Sequence, residues 1–147
     1  MTQDAARLSE SLDVVQTRAF ELAAVIGAPL WMLPTFGTSE ESGRPSIESR
    51  PDGLAYVVRE RGSVFEDRLA ANQDEVLYWI FRSVTQRMAS DWEVQHRGPG
   101  RDSRLVWMPV QHRLLASLSP AWELRLRDER ADILAKLGIA ADAVGGM

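Results

Sequence analysis

Apolar positions along this chain repeat with two different periods. Between residues 4 and 26, Leu8, Leu12, Val15, Ala19, Leu22 and Ile26 recur at steps of three and four. That spacing draws one apolar stripe down a cylinder and predicts a helix over 4–26, stopped by Gly27 and Pro29. APLWMLPTFG follows, too rich in proline and glycine for a regular element; its Trp31, Leu33 and Phe36 are expected to fold back onto the core. TSEESGRPS at 38–46 reads as a polar loop. The period then falls to two, and a hairpin is predicted over 46–61. Its first segment is Ser46 to Arg50, and its turn is Pro51-Asp52-Gly53, where proline presets the bend and glycine supplies positive φ. Its second strand, Leu54 to Glu60, sets Ala55, Val57 and Arg59 on one face and Leu54, Tyr56 and Val58 on the other. Val64 to Arg68 is a candidate third strand.

The longer period returns after Asn72, which can cap a helix carrying Asp74 and Glu75 in its first turn, where the helix dipole favours acids. Leu77, Phe81, Val84, Met88 and Trp92 form its stripe, widened by Val76, Trp79 and Ile80, and predict a central helix over 73–96. Beyond Gly98-Pro99-Gly100, apolar spacing predicts a helix over 105–118, with Pro109 starting or kinking it. Ser119-Pro120 is a capping hydroxyl followed by proline at the first helical position, so a last helix is predicted over 119–137, stopped by Gly138. Its inward residues are expected to be Trp122, Leu126, Ile133 and Leu137, with Glu123–Arg127 and Asp132–Lys136 pairing along the outside. Residues 139–147 are expected to fray. The sum is α+β: a single domain over 1–147, with a small antiparallel sheet of two to four strands and about four helices.

Composition narrows the chemistry. The 147 residues are 45% hydrophobic and 26% charged, which suits a soluble globular chain able to bury a core. There is no cysteine, so disulfides, thiolate nucleophiles and cysteine-ligated metals are excluded. The N-terminus has no secretory pattern, and no stretch approaches the ~20 apolar residues that span a bilayer; a cytoplasmic protein without a membrane partner is expected. Residues 1–75 carry 7 basic and 13 acidic side chains, and the formal net charge of the whole is −4, a poor balance for nucleic-acid binding.

Motif chemistry is sparse. RGPGRDSR at 97–104 has neither the spacing nor the lysine of a phosphate loop, and read as a dinucleotide fingerprint it has Ser103 where the third glycine belongs. His96 and His112 are far apart in sequence and read as structural, so no metal and no cofactor is expected. Two charged clusters beside turn glycines remain, Glu60-Arg61-Gly62 and Arg101-Asp102-Ser103-Arg104. One reading has Asp102 cap the next helix while Arg101 or Arg104 bridges to an acid such as Glu60. The other is an exposed patch that grips a partner. Its candidate contacts are Glu40, Glu41, Tyr56, Arg59, Glu60, Arg61, Arg101 and Arg104.

The order of these motifs resembles a family. Glu60-Arg61-Gly62, the helix DEVLYWIFRSVTQRMASDWE, Asp102-Ser103-Arg104 with Gln111 downstream, and Trp122 followed by Asp132-Ile133-Leu134 resemble the immunity protein 63 family of bacterial polymorphic toxin systems, over roughly residues 25–137. The family often carries a second arginine after the DSR, where this chain has Leu105. The resemblance implies a non-catalytic protein that binds and neutralises a cognate toxin, as a monomer or weak dimer. Two alternatives stay open: a ligand-binding or regulatory domain dimerising through the helix at 4–26, and a small hydrolase using Glu60, Arg104 and His112.

Overall fold

In a computed structural model, the backbone is described for residues 3–100 and 102–138 and the side chains for 11–100 and 102–138. The predicted tail at 139–147 lies outside the described residues. The fold is α+β, with five α-helices and one four-stranded mixed sheet among the described residues. It divides into two compact units, one up to Ile80 and one from Phe81 onward.

The first unit opens with helix α1, Gln3–Ile26. Gly27 ends it at φ +70, its N–H bonding the Ala24 carbonyl while Ala28 N–H reaches the Ala23 carbonyl, the paired bonds that close a helix through a left-handed residue. Val15, Ala19, Leu22 and Ala23 are its buried face, and the helix packs on the second and third strands. A 3-10 turn at Leu30–Met32 leads to β1, Thr35–Phe36. β2 (Ser42–Arg50), β3 (Gly53–Glu60) and β4 (Ser63–Leu69) follow, in the order β1-β2-β3-β4, with β1 parallel to β2 and the other neighbours antiparallel.

Three expectations need correcting here. The strand before the turn begins at Ser42, so most of the predicted polar loop is strand. A polar run can be strand when its backbone has a partner: Ser42 pairs with Glu60, and an irregularity before Pro45, with Gly43 at φ +84, absorbs the proline. β1, read as irregular, is held by its pairing with Ser46 and Ile47. Trp31 is 56% exposed, whereas Leu33 is buried as expected. The third strand is present, and Asn72 Oδ1 accepts from Glu75 N–H at 2.9 Å to cap α2, Gln73–Gln95.

α2 starts in the first unit and runs on into the second. Leu77, Phe81 and Val84 of the predicted stripe are buried, as are Val76 and Ile80; toward the C-terminal end the buried line moves round by one residue to Thr85, Ala89 and Glu93, and Trp92 is exposed. The apolar run at 76–81 is too wide to centre the stripe by itself. Two polar groups on this side are bonded: Thr85 Oγ1 donates to the Phe81 carbonyl at 2.6 Å, and Glu93 takes a guanidinium.

In the second unit, α3 (Arg104–Leu118) contains Pro109, which removes the bond the Leu105 carbonyl would accept. Ser119 then caps α4 (Pro120–Glu129), its Oγ accepting from Trp122 N–H at 3.2 Å. The predicted single last helix is two, because Arg130, at φ −104 and ψ 9, breaks it before α5 (Ala131–Leu137). The break turns the helical register, so Leu134 is buried and Ile133 is exposed, the reverse of the expectation. The core here includes Phe81 stacked on Trp122 at 6.2 Å and Met108 with Leu134, against which Trp107 and Leu137 pack.

Candidate functional site

The turn joining β3 to β4 is built by the Glu60-Arg61-Gly62 cluster. Glu60 pairs with Ser63, leaving Arg61 at φ +51 and Gly62 at φ +81 as the two central residues, the positive-φ pair that matches the twist of a two-residue hairpin. Glu41, itself at φ +55, straps this turn: its carbonyl accepts from Arg61 N–H at 3.1 Å and its carboxylate from Gly62 N–H at 2.9 Å. Next to it, Glu40 faces the Arg44 guanidinium at 3.4 Å, while Arg44 Nε donates to the Leu33 carbonyl at 2.9 Å. Four candidate residues, Glu40, Glu41, Glu60 and Arg61, therefore come together at one end of the sheet, all exposed.

Arg59 is one residue away but engaged on the sheet face. Strand register puts Ser46, Glu48, Arg50, Arg59 and Asp67 on that face. Arg59 bonds the Glu48 carboxylate, which also accepts from Ser46 Oγ at 2.6 Å. Arg50 forks onto Asp67 at 2.6 and 2.9 Å. Burial alone would raise the Glu48 carboxyl, but the Arg59 and Ser46 hydrogen bonds and the arginine charges outweigh it and hold it below its ordinary value. Arg50 likewise holds Asp67 low. Sequence inspection missed Glu48 and Asp67, since nothing local to either shows its partner 11 or 17 residues away.

Tyr56, expected in a polar role, is 4% exposed. Its ring meets Trp79 edge-on at 6.3 Å, and the Arg68 guanidinium lies over both rings, 5.1 Å from Tyr56 and 4.4 Å from Trp79. The tyrosine supports an exposed arginine more than it offers itself.

In the second unit the RDSR corner closes on its own residues. Asp102 accepts from Arg104 N–H at 3.0 Å and from the Arg104 guanidinium at 3.0 and 3.3 Å, so the acid bonds the first residue of α3 from one position ahead of the N-cap, Ser103, and the arginine binds that same acid and not a distant one. Arg101 lies outside the described residues. The preceding arginine, Arg97, forks onto Glu93 at 3.0 and 2.9 Å beside an open depression formed with Gly98, Pro99, Gly100 and Ser103. A carboxylate already fills the arginine fork there, an arrangement that disfavours phosphate. His96 stacks on Trp92 at 3.9 Å and its Nδ1 donates to the Trp92 carbonyl at 2.8 Å.

His112 has no solvent exposure. Arg130 Nη1 lies 3.3 Å from its Nε2, and a guanidinium can only donate, so Nε2 accepts and the ring proton sits on Nδ1, 3.0 Å from Glu123 Oε1. Glu123, expected on the outside, is buried, and holds Arg127 at 3.1 and 2.7 Å as the four-residue spacing foretold. Arg130 also covers the Trp107 ring at 5.2 Å. Gln111 joins α3 to α2 through the Arg82 carbonyl at 2.9 Å. Each ring nitrogen of His112 is thus engaged inside a sealed cluster, which suits a structural clamp. Among the described residues no group of three or more His, Asp or Glu is placed to hold a metal, and no helix is long and apolar enough to cross a membrane.

No curated protein and no solved structure matches the chain. A family model described as Immunity protein 63 matches residues 51–132, a narrower span than the 25–137 suggested by the motifs, running from the β2–β3 turn into α5. With more than half of its length matched, including the strapped turn, the Asp102–Arg104 corner and the His112 clamp, the chain belongs to the immunity protein 63 family.

Proposed function

We propose that this chain binds a cognate toxin domain stoichiometrically and neutralises it without catalysis, in the bacterial cytoplasm. The family match over residues 51–132 carries the reading. Two structural features support it. The titratable histidine that a hydrolase would want is sealed in a clamp. The first unit instead offers an exposed charged tip, Glu40, Glu41, Glu60 and Arg61, held rigid by the Glu41 strap. A rigid tip costs little order on binding. Residues 1–80 carry 13 acidic and 7 basic side chains, so a basic toxin surface would be steered toward them. Arg59, Arg104 and Arg101 are further candidate contacts, and Tyr56 would act through Arg68. Such a protein would be indifferent to nucleic acid and needs no cofactor.

The test has two stages. Tagged protein is recovered from its host lysate, and any toxin-like domain recovered with it is expressed alone and together with this chain. A one-to-one complex that restores growth is the expected result. A co-purified domain whose toxicity this chain does not relieve would overturn the reading.

A further inference from the structure

β4 is one of the two edge strands of the sheet, and among the described residues no strand pairs with its outer side. Ala70 N–H donates to the Leu54 carbonyl at 2.8 Å, and antiparallel pairs alternate. Arg68 and Glu66 therefore turn their backbone groups toward β3, while Asp67 and Leu69 turn theirs outward, without a neighbour in the sheet. Bordering apolar side chains are bare: Phe65 is 69% and Val64 54% exposed, and Leu69 is also exposed. Charge, proline, bulges and covering loops are the usual protection for such an edge. Here the one irregularity, with Phe65 as the extra residue between Val64 and Glu66, lies at the turn end and leaves Glu66–Leu69 regular.

The strand's own residues select an occupant. A second copy laid antiparallel about a two-fold axis must pair outward residues with outward residues. Centring the axis on Glu66 sets two glutamates face to face, and centring it on Arg68 opposes two arginines. Centring it on Asp67 does the reverse: Glu66 meets Arg68 of the second copy twice, in the closer non-hydrogen-bonded pairs, and the exposed Leu69 lies toward the Phe65 end of the second copy's strand. The two Asp67 side chains then at the axis are each already forked by Arg50. Arg68 is held in position by the Tyr56 and Trp79 rings and lies 2.9 Å from Glu66 of its own strand, so four charges would alternate in a square.

We propose that two copies of this chain associate through β4, antiparallel and centred on Asp67, joining their sheets into one of eight strands. The association does not depend on the toxin reading. The interface is one short strand with exposed apolar side chains at its ends, so the dimer is weak and concentration-dependent.

Sedimentation equilibrium on the full chain tests it. The wild type should move from 16.5 kDa toward twice that mass as concentration rises. Glu66→Arg and Arg68→Glu should each weaken association by about tenfold or more, since two favourable pairs become repulsive. An equimolar mixture of the two variants should regain the dimer, because each reversed charge then meets its opposite on the other chain. The Glu66–Arg68 contact within one strand is broken in both variants and stays broken in the mixture, so a purely intrachain role predicts no recovery. The chain has no cysteine, which allows a second measurement independent of charge. Asp67→Cys should form an interchain disulfide under mild oxidation faster than Val64→Cys, because residues at the axis face themselves about 5.5 Å apart. A wild type that stays at 16.5 kDa throughout, a mixture that remains monomeric, or cross-linking favoured at Val64 would each overturn the proposal.

Discussion

Glu123 answers to two buried or half-buried partners at once, His112 Nδ1 at 3.0 Å and the Arg127 fork at 3.1 and 2.7 Å. Glu123→Ala would leave a guanidinium and an imidazole N–H facing a void, and should cost about 3–5 kcal/mol in urea-denaturation experiments. His112 predicts a pH dependence. Burial lowers it from its ordinary 6.5; Glu123 pulls upward and Arg130 adds to the lowering. The folded state therefore prefers the neutral ring. This stabilisation is whole above about 6.5 and is lost as pH falls below it, because the unfolded chain takes the proton first. Asp67, Glu93 and Asp102, held low by Arg50, Arg97 and Arg104, stabilise above the ordinary carboxylate values of 3.8 for Asp and 4.5 for Glu and lose that contribution at lower pH. Urea midpoints should thus decline in two stages on acidification, and His112→Gln should abolish the first stage only. A variant that keeps the first stage would remove His112 as its source. The want of a second metal ligand near His112 was legible in the sequence. That Glu123 is its partner was not: four-residue spacing predicts that Glu123 meets Arg127, but not which side of the helix is covered.

Among elements, the β3–β4 turn is the most demanding. Gly62 sits at φ +81 with nothing within 4 Å of where a Cβ would lie, so Gly62→Ala tests backbone conformation without a clash. It should cost about 1 kcal/mol by chemical denaturation. Gly98→Ala, also in open space but without positive φ, should be neutral within about 0.5 kcal/mol. Equal costs at the two sites would mean that the turn geometry is not what Gly62 contributes. Elements with a local signal were readable: the Gly27 stop, the Asn72 and Ser119 caps, the Pro51-Asp52-Gly53 turn and the ERG turn each declare themselves within three or four residues. The start of β2 and the break at Arg130 were not. The first is strand because a distant backbone pairs with it, and Arg130 sits where its side chain reaches His112, 18 residues back.

For the whole molecule, charge is distributed in a way that bears on association. Residues 1–80 are acidic by 13 to 7, and residues 81–147 carry 10 basic against 8 acidic side chains. If the acidic tip steers a basic partner, Glu40→Arg with Glu60→Arg should slow association with the co-purified toxin about tenfold at low salt, and the difference should vanish near ~0.5 M salt. Stopped-flow binding at two ionic strengths reads this directly. A salt-independent loss would assign these residues to contact and not to steering. The sequence by itself determined the main helices and the central hairpin, most caps and turns, the α+β class and the motif order by which the family is recognised, because each rests on periodicity or on side chains reaching their own backbone nearby. Only the tertiary structure decided which face of the C-terminal half of α2 is buried, that Glu41 straps the ERG turn, that Arg59 and Arg50 are occupied by Glu48 and Asp67, and that His112 is sealed between Glu123 and Arg130. The bonds that settle those points run between residues 11 to 29 positions apart or between separate strands, where no local pattern encodes the partner.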